Sequence, residues 1–217
     1  MRKVLLISTS NNNMNGHPTG LWLEELAEPY NVFKAEGFEV EIVSINGGEV
    51  PIDKNSIPNG IPTEYEHIMD LLKNTKKLTD VLDTKFDAIL FAGGHGPLDD
   101  FINTKEVKDI ILDTYNRNDV VAGVCHGVTA FLNTKTEDGN FFVHGKRLTA
   151  FTNSEEDLAQ LSNLVPYALE TELINQGAKF ERSGDFVENV TTDGNLITGQ
   201  NPQSSHLIAK VISEKIK

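Results

Sequence analysis

The stretch Val120-Val121-Ala122-Gly123-Val124-Cys125-His126-Gly127 decides the reading of this chain. A short, continuous apolar run fits a strand covered on both faces. It runs straight into Gly-x-Cys-x-Gly and then into a stretch of helical character, Val128 to Leu132. That order of strand, sharp turn and helix reads as a nucleophile elbow, in which a strained residue needs neighbours without Cβ so that the backbone can pack closely. At a helix N-terminus the macrodipole and free N–H groups favour a thiolate, lowering a cysteine from its ordinary pKa of about 8.5. The pattern therefore predicts that Cys125 is reactive at neutral pH. A lone cysteine is more commonly a small buried hydrophobe, but the paired glycines argue against that here.

Outward from this elbow, similar apolar bursts occur at Val4 to Ile7, Val40 to Ile45 and Ala88 to Phe91. Between them lie stretches with helical spacing: Leu21, Leu23, Leu26, Tyr30 and Phe33, and later Val107, Ile110, Ile111 and Tyr115. This βαβα alternation predicts an α/β fold with a mostly parallel central sheet and helices on both faces. Gly37 closes the first helix, and Asn103 followed by Glu106 marks the start of the second. The Gly- and Pro-rich stretch 46–62 reads as an irregular surface excursion. Asp138-Gly139 predicts a hairpin near 134–147, and a strand is expected around Leu148 to Phe151. Ser154 with Asp157 opens a helix carrying Leu158, Leu161 and Val165, with a further helical stretch running to Gly177. No repeat or linker interrupts the 217 residues, which read as a single domain, 1–217.

Composition narrows the function. Hydrophobic residues make up 39% and charged residues 24%, a globular mixture without a membrane-length apolar run. The formal charge of −13 repels phosphate backbones and anionic lipid, so neither nucleic acid nor membrane is an expected partner. One cysteine forms no internal disulfide, and the apolar run after Met1-Arg2-Lys3 is too short for an export signal, so a cytoplasmic location is expected. The six histidines are scattered without ligand spacing, and no metal is expected.

A second glycine-rich turn, Gly93-Gly94-His95-Gly96-Pro97, follows the strand Ala88 to Phe91. Ligands of open parallel sheets bind at such carboxyl ends, and Gly94 and His95 are candidates for oxyanion or substrate binding, together with the N–H of His126. The turn is not a dinucleotide fingerprint, because Asp99 stands where the third glycine belongs, and there is no Walker A sequence. Glu24 and Glu25 lie in an apolar helical stripe about 100° apart, so only one sits centrally on the buried side, and periodicity leaves the choice open. A carboxyl pressed against apolar side chains keeps its proton and can move it. Glu155 and Glu156, near the start of a helix, read as dipole partners.

These motifs resemble the DJ-1/PfpI superfamily, and within it the heat-shock protein 31-like, glutathione-independent glyoxalase III subgroup. The likeness rests on Gly93-Gly94-His95-Gly96 and Val124-Cys125-His126-Gly127, with Thr19-Gly20 through Glu25 to Pro29, Gly37-Phe38-Glu39-Val40, Phe151-Thr152-Asn153-Ser154-Glu155-Glu156, Val165-Pro166-Tyr167 and Asp193 to Pro202. It implies a flavodoxin-like three-layer sandwich, a homodimer, and a cysteine-dependent hydro-lyase that turns a small reactive 2-oxoaldehyde, methylglyoxal, and water into lactate with no cofactor. It also implies roles: Cys125 as nucleophile, His126 as its partner, Glu156 as the acid orienting that histidine, and Glu25 rather than Glu24 as the proton carrier. Residues adjacent in sequence normally project apart, so whether His126 touches the sulfur at rest stays open. Members of the family are also described as holdase chaperones and, disputably, as repair enzymes for glycated amines, which would leave Cys125 as an oxidation-sensitive site. A cysteine peptidase is a more distant alternative. A glutamine amidotransferase lacks its late His-x-Glu here, since His206 precedes Leu207 and Ile208.

Overall fold

A computed structural model describes residues 1–217. Its centre is a seven-stranded sheet whose strands are β1 (Lys3–Ser8), β2 (Glu39–Ser44), β3 (Lys76–Lys77), β4 (Ala88–Phe91), β5 (Val120–Val124), β6 (Val190–Asp193) and β7 (Leu196–Gly199). The spatial order is β6-β7-β5-β4-β1-β2-β3. Every neighbouring pair is parallel except β6 with β7, which closes one edge antiparallel. Residues 88–91 pair in register with 120–123, so the two strands that carry the glycine-rich turn and the cysteine elbow end side by side.

Side chains alternate across the strands and feed two cores, one per face. Val4, Leu6, Leu90, Ala122 and Val124 face helices α1 (Glu24–Ala35) and α7 (Ser205–Ile216), where Leu26, Phe33, Ile208 and Ile212 pack. Leu5, Ile7, Ile89, Phe91 and Val121 face the other way, toward α3 (Pro97–Asn103) and α4 (Lys105–Asn116), meeting Phe101, Val107 and Ile111. Each cluster holds 25 buried residues, which accounts for strands that are apolar throughout rather than alternating. With α2 (Glu66–Leu72), α5 (Asn153–Leu158) and α6 (Leu169–Asn175), helices lie on both faces in a flavodoxin-like arrangement.

Several local expectations need correction. Gly37 does follow the first helix in a left-handed conformation (φ +78°). The cap of α4 is Thr104, not Asn103, because Asn103 ends α3 and its amide turns back to Asp99 O. The helix expected through Leu158, Leu161 and Val165 stops at Ala159, where Gln160 takes a left-handed φ of +61°. Leu161 and Leu164 thereby become loop side chains, with consequences for the cavity described below. The strand expected at 148–151 shrinks to Arg147–Leu148, paired in a separate parallel ladder with Lys179–Phe180. Near 134–147 the chain does reverse at Asp138-Gly139, with Lys135 and Phe141 forming one antiparallel bridge and Phe142 N–H donating to Thr134 O at 2.7 Å.

Candidate active site

The chain reverses direction at Cys125, and the steric reason is visible. Cys125 has φ +55°, the left-handed region that a side chain enters only when the surroundings enforce it. Residues 125–131 then wind as a 3₁₀ helix rather than an α-helix. A Cβ on Gly127 would lie 2.1 Å from the carbonyl oxygen of Phe91, so only glycine lets the elbow settle on the end of β4. The turn's far end is fixed by Lys108, whose ammonium donates to the carbonyls of Phe101, Ala130 and Leu132 at 3.2, 2.9 and 2.8 Å.

The strained turn settles the relation between Cys125 and the next residue. Sγ lies 3.4 Å from Nδ1 of His126, so the two side chains do meet in the resting protein. Nε2 of His126 is 2.6 Å from Oε2 of Glu156, and Nε2 of His95 is 2.7 Å from Oε1 of the same carboxylate. An ionised carboxylate only accepts, so both histidines donate through Nε2. His126 Nδ1 is then left as a lone pair facing the sulfur. Burial, joined by the neighbouring His95, pushes the His126 pKa below 6.5 against the pull of Glu156. Burial also opposes ionisation of Glu156, but His126 and His95 outweigh it and hold this carboxyl far below the usual range. Glu156 lies against His126, where the resemblance implies an acid, rather than serving only the helix dipole, and it also accepts from His95.

Glu25 reaches the sulfur from α1. It is fully buried, whereas Glu24 is partly exposed, which resolves the choice left open by periodicity. Its Oε2 accepts the N–H of Gly93 at 2.8 Å, and its Oε1 is sealed from solvent without a nitrogen or oxygen partner. Burial drives its pKa well above the normal carboxyl value, only partly offset by Cys125 and the Gly93 amide, which favours the protonated form. A Cβ on Gly93 would stand 2.4 Å from Oε2 of Glu25, which explains the glycine at that position. The first part of the turn is also stitched to the approach of α1 by the N–H of Trp22 on Gly93 O, at 3.1 Å.

The expected resting thiolate is not met. Burial first, then the adjoining Glu25, push the Cys125 thiol well above its ordinary value, and the His126 backbone N–H only partly compensates. Desolvation outweighs the favourable field of the helix N-terminus at this sulfur. Cys125 is 4% exposed and still lines a cavity of about 480 Å³, together with Gly94, His95 and His126. Other walls come from Trp22, Phe151, Leu161, Leu164 and Phe186, none of which the sequence pointed to as site residues.

Glu155 was also missed. It is fully buried and its two oxygens accept from Thr152 N and Oγ1, Phe186 N, Gln200 Nε2 and Asn201 Nδ2. The signal was present as Thr152-x-x-Glu155, a capping box whose two halves are both formed. The scattered histidines also gather more than expected: the donor atoms of His95, His126 and Glu156 lie within 4.8 Å of one another, the donor set a divalent metal would use. In this structure those atoms are joined to one another by the two hydrogen bonds above.

A strained cysteine at a strand's carboxyl end, backed by a histidine–carboxylate pair, defines a cysteine-elbow protein of the flavodoxin-like class. The sequence family described as DJ-1/PfpI matches residues 19–215, and the chain belongs to that family. It is 32% identical over 225 residues to the glutathione-independent glyoxalase HSP31 of Saccharomyces cerevisiae, covering 96% of this chain and 95% of that protein. The crystal structure of glyoxalase III from Candida albicans superposes with a TM-score of 0.87 at 31% identity, covering 100% of this chain and 98% of the other. The rapid encystment protein of Francisella tularensis superposes with a TM-score of 0.95 at 38% identity over the full length of both chains. No helix is long and apolar enough to cross a membrane.

Proposed function

We propose that this protein is a glutathione-independent glyoxalase that converts methylglyoxal and water to lactate through covalent chemistry at Cys125. The observation that carries the reading is the placement of one sulfur between a neutral imidazole base and a buried, protonated acid, at the wall of a cavity. The relatives named as glyoxalases support it across nearly the whole chain.

The chemistry follows from the protonation states. The thiol holds its proton at rest, so attack on the aldehyde carbon is base-assisted: Sγ bonds to carbon as His126 Nδ1 takes the thiol proton. His126 passes that proton to the new alkoxide, which the amides at Gly94 and His126 stabilise as it forms, giving a hemithioacetal. Neutral again, His126 removes the hydrogen from the former aldehyde carbon while Glu25 gives its proton to the neighbouring ketone oxygen, producing an enediol. His126 then protonates the second carbon, and Glu25 recovers a proton from the first hydroxyl. The result is a lactoyl thioester, and water cleaves its C–S bond to release lactate and restore the thiol. Glu156 holds His126 in the required tautomer, and His95 holds Glu156.

Incubation with methylglyoxal in the absence of glutathione, with enantioselective assay of lactate, tests the proposal. Wild type is expected to form lactate and Cys125→Ser to form none; equal rates for the two would overturn it.

A further inference from the structure

The cavity is far larger than a three-carbon substrate. At about 480 Å³ it falls in the range of roughly 300–1,000 Å³ that encloses drug-sized ligands. Part of its excess space is walled by apolar side chains, with the polar His17, Asn55, Gln160 and Gln203 on the remaining wall. From the sulfur outward, the ring of Phe151 lies 4.7 Å from that of His126, and Phe186 lies 6.1 Å beyond Phe151, so a row of rings leads from the reacting atom to the rim. Leu161 and Leu164 line the cavity from the loop formed where α5 stops short. Phe186 is 40% exposed although it lines this space, an apolar ring that the fold leaves incompletely buried. It is also a built feature: Phe186 takes a left-handed φ of +54°, and its N–H is held at 2.8 Å by the buried Glu155 carboxylate.

Charge gives the second constraint. No lysine or arginine lines the cavity, and its one acidic residue is Asp53, whose carboxylate already accepts from Thr19 and Asn55. No permanently cationic side chain there would pair with a carboxylate or phosphate on a substrate, and the chain's net charge of −13 adds repulsion. The same field favours departure of the anionic 2-hydroxy acid product.

We propose that the site is built for uncharged 2-oxoaldehydes that carry an aryl or similarly broad apolar group, with methylglyoxal at the small end of its range. The aryl ring would extend the row of His126, Phe151 and Phe186 and complete the burial of the rim. This rests on the glyoxalase reading above and uses the same balanced steps. The aldehyde carbon is oxidised to the acid level, the adjacent ketone is reduced to the alcohol, water supplies the hydroxyl, and no external oxidant or reductant enters.

The test compares kcat/KM for phenylglyoxal, methylglyoxal and 4-carboxyphenylglyoxal, assayed as the corresponding 2-hydroxy acids. Covering apolar surface of this size gives an expected phenyl-to-methyl preference of about tenfold or more. Because the two aldehydes differ in intrinsic reactivity, the decisive quantity is the change in that ratio: Phe186→Ser and Leu161→Ser are each expected to lower it by about fivefold. The carboxylated substrate is expected to fall at least about tenfold below phenylglyoxal. A ratio unmoved by both substitutions, or a carboxylated substrate as good as the neutral one, would overturn the proposal. Protection of Cys125 from iodoacetamide by acetophenone, compared with acetone and benzoate, reads binding without turnover, and acetophenone is expected to protect at the lowest concentration. Lactate formation without any aryl advantage in turnover or protection would defeat this inference alone. Acetophenone protection without turnover of any 2-oxoaldehyde would defeat the glyoxalase reading and leave the apolar site standing.

Discussion

Two glutamates approach the Cys125 cavity from different elements, and the fold shifts their pKa values in opposite directions. Glu25, on α1, is sealed with one oxygen unpartnered, and burial keeps its proton on. Glu156, on α5, is nearly as buried, yet two histidine N–H groups hold it ionised. The side chains are chemically identical, so the difference lies in the donors each is given. Pairs of titratable groups pushed apart in this way separate the acid from the partner of the base.

The sharpest way to break that comparison is to turn each carboxyl into an amide. Glu25→Gln keeps the acceptor for Gly93 N–H but removes the transferable proton, and is expected to lower the rate of lactate formation by about 10³-fold. Glu24→Gln, one residue away and partly exposed, should change it by less than about twofold. Stability should move the other way. A carboxyl whose pKa is raised in the folded state binds more protons folded than unfolded, so its contribution falls as pH rises above the unfolded value. At pH 7 Glu25 is therefore a burden on the fold, and Glu25→Gln should melt at a higher temperature than wild type while being nearly inactive. A thermal melt beside the kinetic assay checks both signs.

Glu156→Gln should do the reverse to stability. Its carboxylate, depressed in the folded state, contributes above its unfolded pKa and loses that contribution as pH falls toward the folded value. Replacing it leaves two buried histidine donors sharing one amide, at an expected loss of about 2 to 3 kcal/mol at pH 7, read by urea unfolding. Turnover should fall about 10²-fold as His126 loses its fixed tautomer. If both amide variants shifted the melting temperature in the same direction, the contrast between the two glutamates would be wrong.

Much of this site was legible before the structure. Strands β4 and β5 could be read because both of their faces are covered, so burial leaves a continuous apolar run in the sequence. The elbow could be read because close packing against Phe91 O demands glycine at 127. What was not legible depends on long-range placement. His95 and Glu156 are 61 residues apart and meet only because α5 sits over the carboxyl ends of β4 and β5. Periodicity could not separate Glu24 from Glu25 because both lie near the apolar stripe, and the family resemblance was needed. The low pKa expected for Cys125 failed for a related reason: the sequence displays the turn, while desolvation is set by residues from α1 and from the loops. Iodoacetamide should accordingly alkylate Cys125 at pH 7 more slowly than it does a free cysteine thiol.

A smaller effect sharpens the role of His126. Its pKa lies below the ordinary 6.5, so between the two values the unfolded chain binds more protons and stability rises with pH. The acid limb of kcat/KM for methylglyoxal should fall below pH 6.5 as the imidazole base is protonated. Glu156 opposes that depression, so in Glu156→Gln the limb should move to still lower pH. A limb that moved upward would mean that the base is a different group.

The smallest effect on turnover comes from Asp100, which asks whether the rule drawn from Glu25 holds away from the chemistry. On α3, its Oδ2 accepts from Thr9 Oγ1 at 2.8 Å and Ser10 N at 2.7 Å, while Oδ1 is sealed without a partner, the same half-satisfied state as Glu25. Burial is the main cause, and its pKa is pushed up to about 6 from 3.8. Between those values the folded chain binds the extra proton, so stability is lost as pH rises through the window, by about 3 kcal/mol at pH 7. Asp100→Asn keeps the shape and cannot ionise; it should unfold at higher urea than wild type at pH 7, show little difference near pH 3.5, and leave lactate formation unchanged. A gain of equal size at both pH values would trace the effect to packing, and the sealed oxygen would no longer explain why Glu25 keeps its proton.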